Sequence, residues 1–150
     1  MLKYFCLLFV VLSFLCCARK KAAKQAKKDE ATIQKYIGDH GLNATAAGDG
    51  LYYVISSQGT GANPSLSSVV TVSYTGMLTD GSVFDASTQA GATFQLTGVI
   101  KGWQEGMPFF KKGGKGKLLI PSAMGYGVAG SSGIPPNSVL IFDINLIDVQ

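Results

Sequence analysis

The sequence predicts an α+β domain from about Gly50 to Gln150, an antiparallel sheet that carries one small helix. Three observations lead there. Val70, Val72 and Tyr74 alternate with Thr71, Ser73 and Thr75, a period of two that puts the two sets on opposite faces of a strand. The same alternation returns near the C-terminus, where Leu140, Phe142, Ile144 and Leu146 oppose Asp143 and Asn145. The chain also holds 19 glycines and 5 prolines, and that density of turn formers favours short strands over a helical bundle.

The elements follow in chain order. Tyr4 to Cys17 (YFCLLFVVLSFLCC) is almost wholly apolar and follows a minimal charged start. It has the length of an export-signal core and falls short of the roughly 20 residues that a membrane-spanning helix needs. A charged run follows at once, which argues against a buried helix. Residues 18–47 read as a basic connector, with Ile33, Tyr36 and Ile37 forming a narrow apolar stripe. A short helix or a flexible tether is expected there, broken by Gly38, Gly41 and Gly48. The stripe is too narrow to imply dimerisation, and a monomer is expected. Leu51 to Ser56, rich in aromatic and β-branched residues, opens the sheet of a folded domain spanning residues 48–150. Between Val99 and Phe110, Gly102, Gly106 and Pro108 leave room for a short helix only. Lys115 to Ile120 is a further strand. Gly113 to Lys117 lacks the Gly-Lys-Ser/Thr ending of a phosphate loop and leads into that strand, so a hairpin turn is expected. Pro135-Pro136-Asn137 reads as a turn before the last strand.

Charge excludes one class of partner. Six of the 13 basic residues lie between Arg19 and Lys28, whereas from Gly50 onward five lysines meet five acids. A basic stripe for nucleic acid is therefore not a property of the domain. The three cysteines (Cys6, Cys16 and Cys17) precede it, and His40 stands alone. Neither a disulfide framework, a metal cluster nor a cofactor is expected.

Leu15-Cys16-Cys17-Ala18 resembles a bacterial lipoprotein cleavage site, which implies acylation of Cys17 and a membrane anchor; ordinary cleavage near Ala18 is the alternative. Four further segments resemble the hallmark stretches of the FKBP family, the tacrolimus-binding peptidyl-prolyl isomerases. They are VSYTGMLTDGSVFDAS from Val72, VIKGWQEGM from Val99, LLIPSAMGYG from Leu118 and GIPPNSVLIFDINLIDV from Gly133. They occur in family order and near-family spacing.

The resemblance implies a twisted antiparallel sheet wrapped around one short helix, with a proline-accepting pocket between them. Trp103 would form the pocket floor. Tyr74, Phe84, Phe94, Val99, Ile134 and Phe142 would line it. The Ile100 amide and the Tyr126 hydroxyl would donate to substrate carbonyls, and Asp85 would orient polar groups, in part through Tyr74. Proline-containing folding polypeptides would be the substrates, and tacrolimus-like macrolides would be ligands of the same pocket. An anchored form would sit in the cell envelope, facing the periplasm.

The residues read by themselves leave alternatives. By themselves, Tyr74, Trp103 and Phe142 read more readily as ordinary core than as pocket. Asp85 is either a positioned carboxylate or a turn residue near Ser87, and it needs a partner if buried. Isomerisation of an X-Pro bond requires no nucleophile, metal or cofactor, only a water-poor apolar pocket with a few fixed donors. A module that holds proline segments without turning them over is the competing function. The loop GVAGSSG after Tyr126, with Ser131 where some family members carry histidine, puts substrate preference in question.

Overall fold

The computed structural model describes the backbone from residue 2 and the side chains from residue 18. The expected export signal and the Cys17 acylation site fall on residues 1–17, whose side chains lie outside the described residues. Helix α1 (Leu2–Asp39) is followed by β1 (Thr45–Gly48), β2 (Leu51–Ser57), β3 (Val69–Met77), β4 (Val83–Ala86) and β5 (Ala92–Gln95). Helix α2 (Lys101–Gly106), β6 (Lys115–Ile120) and β7 (Leu140–Val149) complete the chain. The sheet is antiparallel throughout, in the order β1-β2-β6-β7-β3-β4, and β5 pairs with the first half of β3. This is the α+β architecture that the alternating runs predict.

One face of the sheet packs on α2. Val70 and Val72 of β3, Leu118 and Ile120 of β6, and Leu140, Phe142, Ile144 and Leu146 of β7 share a buried cluster with Trp103, Met107 and Phe110. The short helix approaches closely because two of its residues are glycines. A Cβ at Gly106 would come within 2.6 Å of Leu118 Cδ2. Any larger residue there would lift the helix off the sheet.

The second face is where the structure departs from the sequence reading. The connector neither stops at a short helix nor hangs free. Its residues Ile33 and Tyr36, together with the partly buried Ile37, pack over Leu119 and Ile141. Ile33, Leu119 and Ile141 are completely buried. Burying Ile33 stabilises the docked helix by roughly 1.5–3 kcal/mol. Polar contacts fix its position: the Tyr52 hydroxyl donates to Glu30 at 2.6 Å, which pushes the Tyr52 pKa up. The helix ends where His40 stacks on Tyr36, its Nδ1 2.9 Å from the Tyr36 carbonyl. The sheet itself begins at Thr45, ahead of the expected boundary at residue 48, because β1 hairpins onto β2.

Candidate active site

The site begins with an irregularity in β4. Gly76 pairs with Asp85 and Met77 with Val83, so Phe84 has no partner on β3 and forms a bulge. In a regular strand Phe84 and Asp85 would point to opposite faces. The extra residue breaks that alternation and re-aims the side chains there. The Phe84 ring lies edge-on to Phe142, centroids 5.6 Å apart, and stands over Gly76. Asp85 is exposed and accepts a 2.7 Å hydrogen bond from the Tyr74 hydroxyl. Its partner is thus present although burial does not demand one.

Trp103, on α2, is the hub of the aromatic cluster and is only 3% exposed. Tyr74, Phe94 and Phe142 meet it edge-on, with centroid distances of 5.2, 5.6 and 5.3 Å. Such pairs contribute about 0.5–1.5 kcal/mol each beyond area burial. The indole Nε1 is buried with no partner among the described residues. An unmade bond of this kind costs roughly 1–3 kcal/mol, which the ring packing offsets.

The segment leading into α2 is held by a residue that sequence reasoning passed over. Gln104 Nε2 donates to the Val99 carbonyl at 2.8 Å. Nothing in the spacing marks Gln104, because its role depends on how the backbone at Val99 enters the helix. Ile100 follows Val99 in extended conformation as the residue before the helix. Among the described residues its amide has no acceptor.

These elements enclose a cleft of about 340 Å³ lined by Tyr74, Asp85, Phe94, Val99, Ile100, Trp103, Tyr126 and Phe142. All eight belong to the residues singled out from sequence, and Gly98 is an addition. Two of the expected residues are not among the lining: Phe84 packs edge-on to Phe142, and Ile134 is buried in the core. Tyr126 is 38% exposed, and its hydroxyl makes no hydrogen bond among the described residues. The cleft therefore offers apolar walls and two unspent donors, the Ile100 amide and the Tyr126 hydroxyl. Its carboxylate is already oriented.

Burial, then the hydrogen bond to Asp85, pushes the Tyr74 pKa from 10.0 up to about 12. The folded protein therefore holds the Tyr74 proton more tightly than the unfolded chain does. This contribution to stability is complete below pH 10 and is lost as pH rises from 10 to about 12. Urea unfolding over that range should show a decline that Tyr74→Phe diminishes. An identical decline in the variant would refute the assignment.

Comparison with known proteins places this geometry. The profile of the FKBP-type peptidyl-prolyl cis-trans isomerase family matches residues 61–147. FkpA of Escherichia coli strain K12, a curated FKBP-type peptidyl-prolyl cis-trans isomerase, is 44% identical over 133 residues, covering 87% of this chain and 48% of the relative. The chain thus spans about half the length of that relative. The crystal structure of Escherichia coli FkpA superposes with a TM-score of 0.74 at 42% identity, over 89% of this chain and 64% of that one. A peptidyl-prolyl cis-trans isomerase from Pseudomonas syringae pv. tomato gives a TM-score of 0.75 at 34% identity, over 85% of this chain and 94% of that one. With its alternating strands, its short α2 and its aromatic cleft, the chain belongs to the FKBP-type peptidyl-prolyl cis-trans isomerase family.

Proposed function

We propose that the chain catalyses cis/trans isomerisation of X-Pro bonds in folding polypeptides, using the cleft floored by Trp103. The observation that carries this reading is the combination of aromatic walls with two unspent donors. Rotation about a peptide bond faces a barrier of roughly 18–20 kcal/mol because resonance holds the amide planar. As the bond twists, the resonance and its charge separation are lost. A water-poor apolar cleft favours that less polar state over the planar amide. The pyrrolidine ring packs on Trp103 between Tyr74, Phe94 and Phe142. The Ile100 amide and the Tyr126 hydroxyl donate to carbonyls flanking the proline and hold the backbone while the bond turns. Asp85 keeps the Tyr74 ring in place through its hydrogen bond and adds charge at the rim. Val99 borders the opening, Phe84 supports Phe142 edge-on, and Ile134 belongs to the buried cluster that includes Phe142. Macrolides of the tacrolimus type are ligands of the same cleft.

In this reading residues 1–17 direct export, and Cys17 carries the lipid that tethers residues 48–150 to a bacterial membrane facing the periplasm. Residues 18–47 serve as a docked spacer, and the protein acts as a monomer. Labelling with radioactive palmitate in the host should mark wild type but not Cys17→Ala; soluble release of unlabelled protein would overturn the anchor.

Proline-limited refolding of a reporter protein should accelerate in the presence of the purified chain and slow again when tacrolimus is added. Absence of acceleration by folded protein would leave a binding module as the better reading. Asp85→Leu and Tyr126→Phe should each lower kcat/KM by about tenfold or more while shifting stability by less than about 1 kcal/mol, since both side chains sit at the exposed rim. Equal losses of stability and activity would remove them from the site.

A further inference from the structure

We infer that Asp29, on α1, is a positioning residue for Tyr126 and acts through Ser122. This rests on the proposal that the Tyr126 hydroxyl donates to substrate. Asp29 is 2% exposed and Ser122 is 1% exposed, although the two lie far apart in sequence. Asp29 Oδ2 accepts from the Ser122 amide at 2.9 Å and from the Ser122 hydroxyl at 2.6 Å. Its other oxygen accepts from Gln25 Nε2 at 2.6 Å. Among the described residues no lysine, arginine or histidine pairs with it. A buried carboxylate without a cation is an expensive way to dock a helix that Ile33 and Tyr36 already dock. Its placement makes sense through what Ser122 does next. The Ser122 carbonyl accepts from the amides of Gly125 at 3.1 Å and Gly127 at 2.9 Å, the two residues that flank Tyr126. The other backbone bonds of this loop run from the Met124 amide to the Pro121 carbonyl, from the Gly130 amide to the Tyr126 carbonyl and from the Asn137 amide to the Gly127 carbonyl. Asp29 therefore fixes both the amide and the hydroxyl of the one residue whose carbonyl brackets Tyr126. Charge-assisted bonds of this kind are shorter and firmer than neutral ones. The helix docked on the outer sheet face is thereby wired to the rim of the cleft on the inner face.

The test is a double-mutant cycle on the full chain. Asp29→Ala should lower kcat/KM about tenfold in the wild-type background, since small misplacements of a donor are costly. In a Tyr126→Phe background the same substitution should change it less than about twofold, because the hydroxyl it positions is gone. Asp29→Asn, which retains an acceptor for Ser122, should keep activity within about threefold of wild type. A second readout does not depend on turnover. Amide hydrogen exchange at Gly125 and Gly127 should quicken about tenfold or more in Asp29→Ala, while Val72 and Ile144 in the sheet stay protected. Where Asp29→Ala does not fold, Ser122→Ala carries the same cycle, with about half the logarithmic effect because one of the two bonds remains. Equal losses in both backgrounds, or unchanged exchange at Gly125 and Gly127, would overturn the inference. A wild-type chain that fails to accelerate isomerisation would refute the function instead, and the exchange measurement would still decide whether Asp29 holds the loop.

Discussion

Gly76→Ala should reduce kcat/KM for prolyl substrates by at least about tenfold and lower stability by about 1–3 kcal/mol. A Cβ at this position would come within 2.7 Å of Phe84 Cε2 and 2.8 Å of Phe142 Cε1. The backbone has no freedom to retreat, because β3 is bonded to β4 on one side and to β7 on the other at this residue. The two rings must move instead, and Phe142 is a wall of the cleft. Gly76 has an ordinary negative φ, so the effect would come from lost space and not from backbone strain. Side-by-side measurement of steady-state kinetics and urea unfolding checks this. A stability loss with unaltered kcat/KM in the folded population would show that the rings relax without deforming the cleft.

Trp103→Ala should cost about 3–5 kcal/mol and abolish measurable catalysis. The ring is the meeting point of three edge-on aromatic contacts. Its loss would open the cleft floor to water, which removes the apolar environment that favours the twisted amide. Trp103→Phe separates the two roles. It retains an aromatic floor and deletes the buried Nε1 that lacks a partner. Its stability should therefore lie within about 1.5 kcal/mol of wild type, the lost ring area being partly offset by relief of the orphaned donor. Activity should fall far less than in the alanine variant. A phenylalanine variant as inactive as alanine would mean that the indole itself takes part in binding.

Much of this was legible in the sequence, and the rest was hidden for identifiable reasons. The alternation in β3 and β7 put Val70, Val72, Phe142 and Ile144 on the covered face because one face of those strands is consistently apolar. Leu119 and Ile141 interrupt that simplicity. They point away from α2 and are nevertheless fully buried, because α1 covers them. The covering stripe contains the charged Asp29, which composition alone marks as surface. The bulge at Phe84 was equally invisible: no spacing rule announces that one residue of a four-residue strand will be skipped. The aromatic and polar cleft residues were named through motif resemblance, since periodicity could not tell a pocket wall from ordinary core at Tyr74 or Phe142. Gln104 lies within one of those segments but was given no role, and Gly98 lies outside them. Their positions depend on the course of the backbone before α2.

The place of β7 in the sheet has a kinetic consequence. The last strand lies in the interior, between β6 and β3, and Val149 registers with Val70. A nascent chain lacking that strand keeps β3 and β6 as two unjoined edges, with the lining of the cleft split between them. Its sheet can close only after synthesis has passed Val149. Contacts spanning such separations slow folding, because loop-closure entropy must be overcome before they form. The half-made protein would meanwhile expose unpaired strand edges of the kind that aggregate.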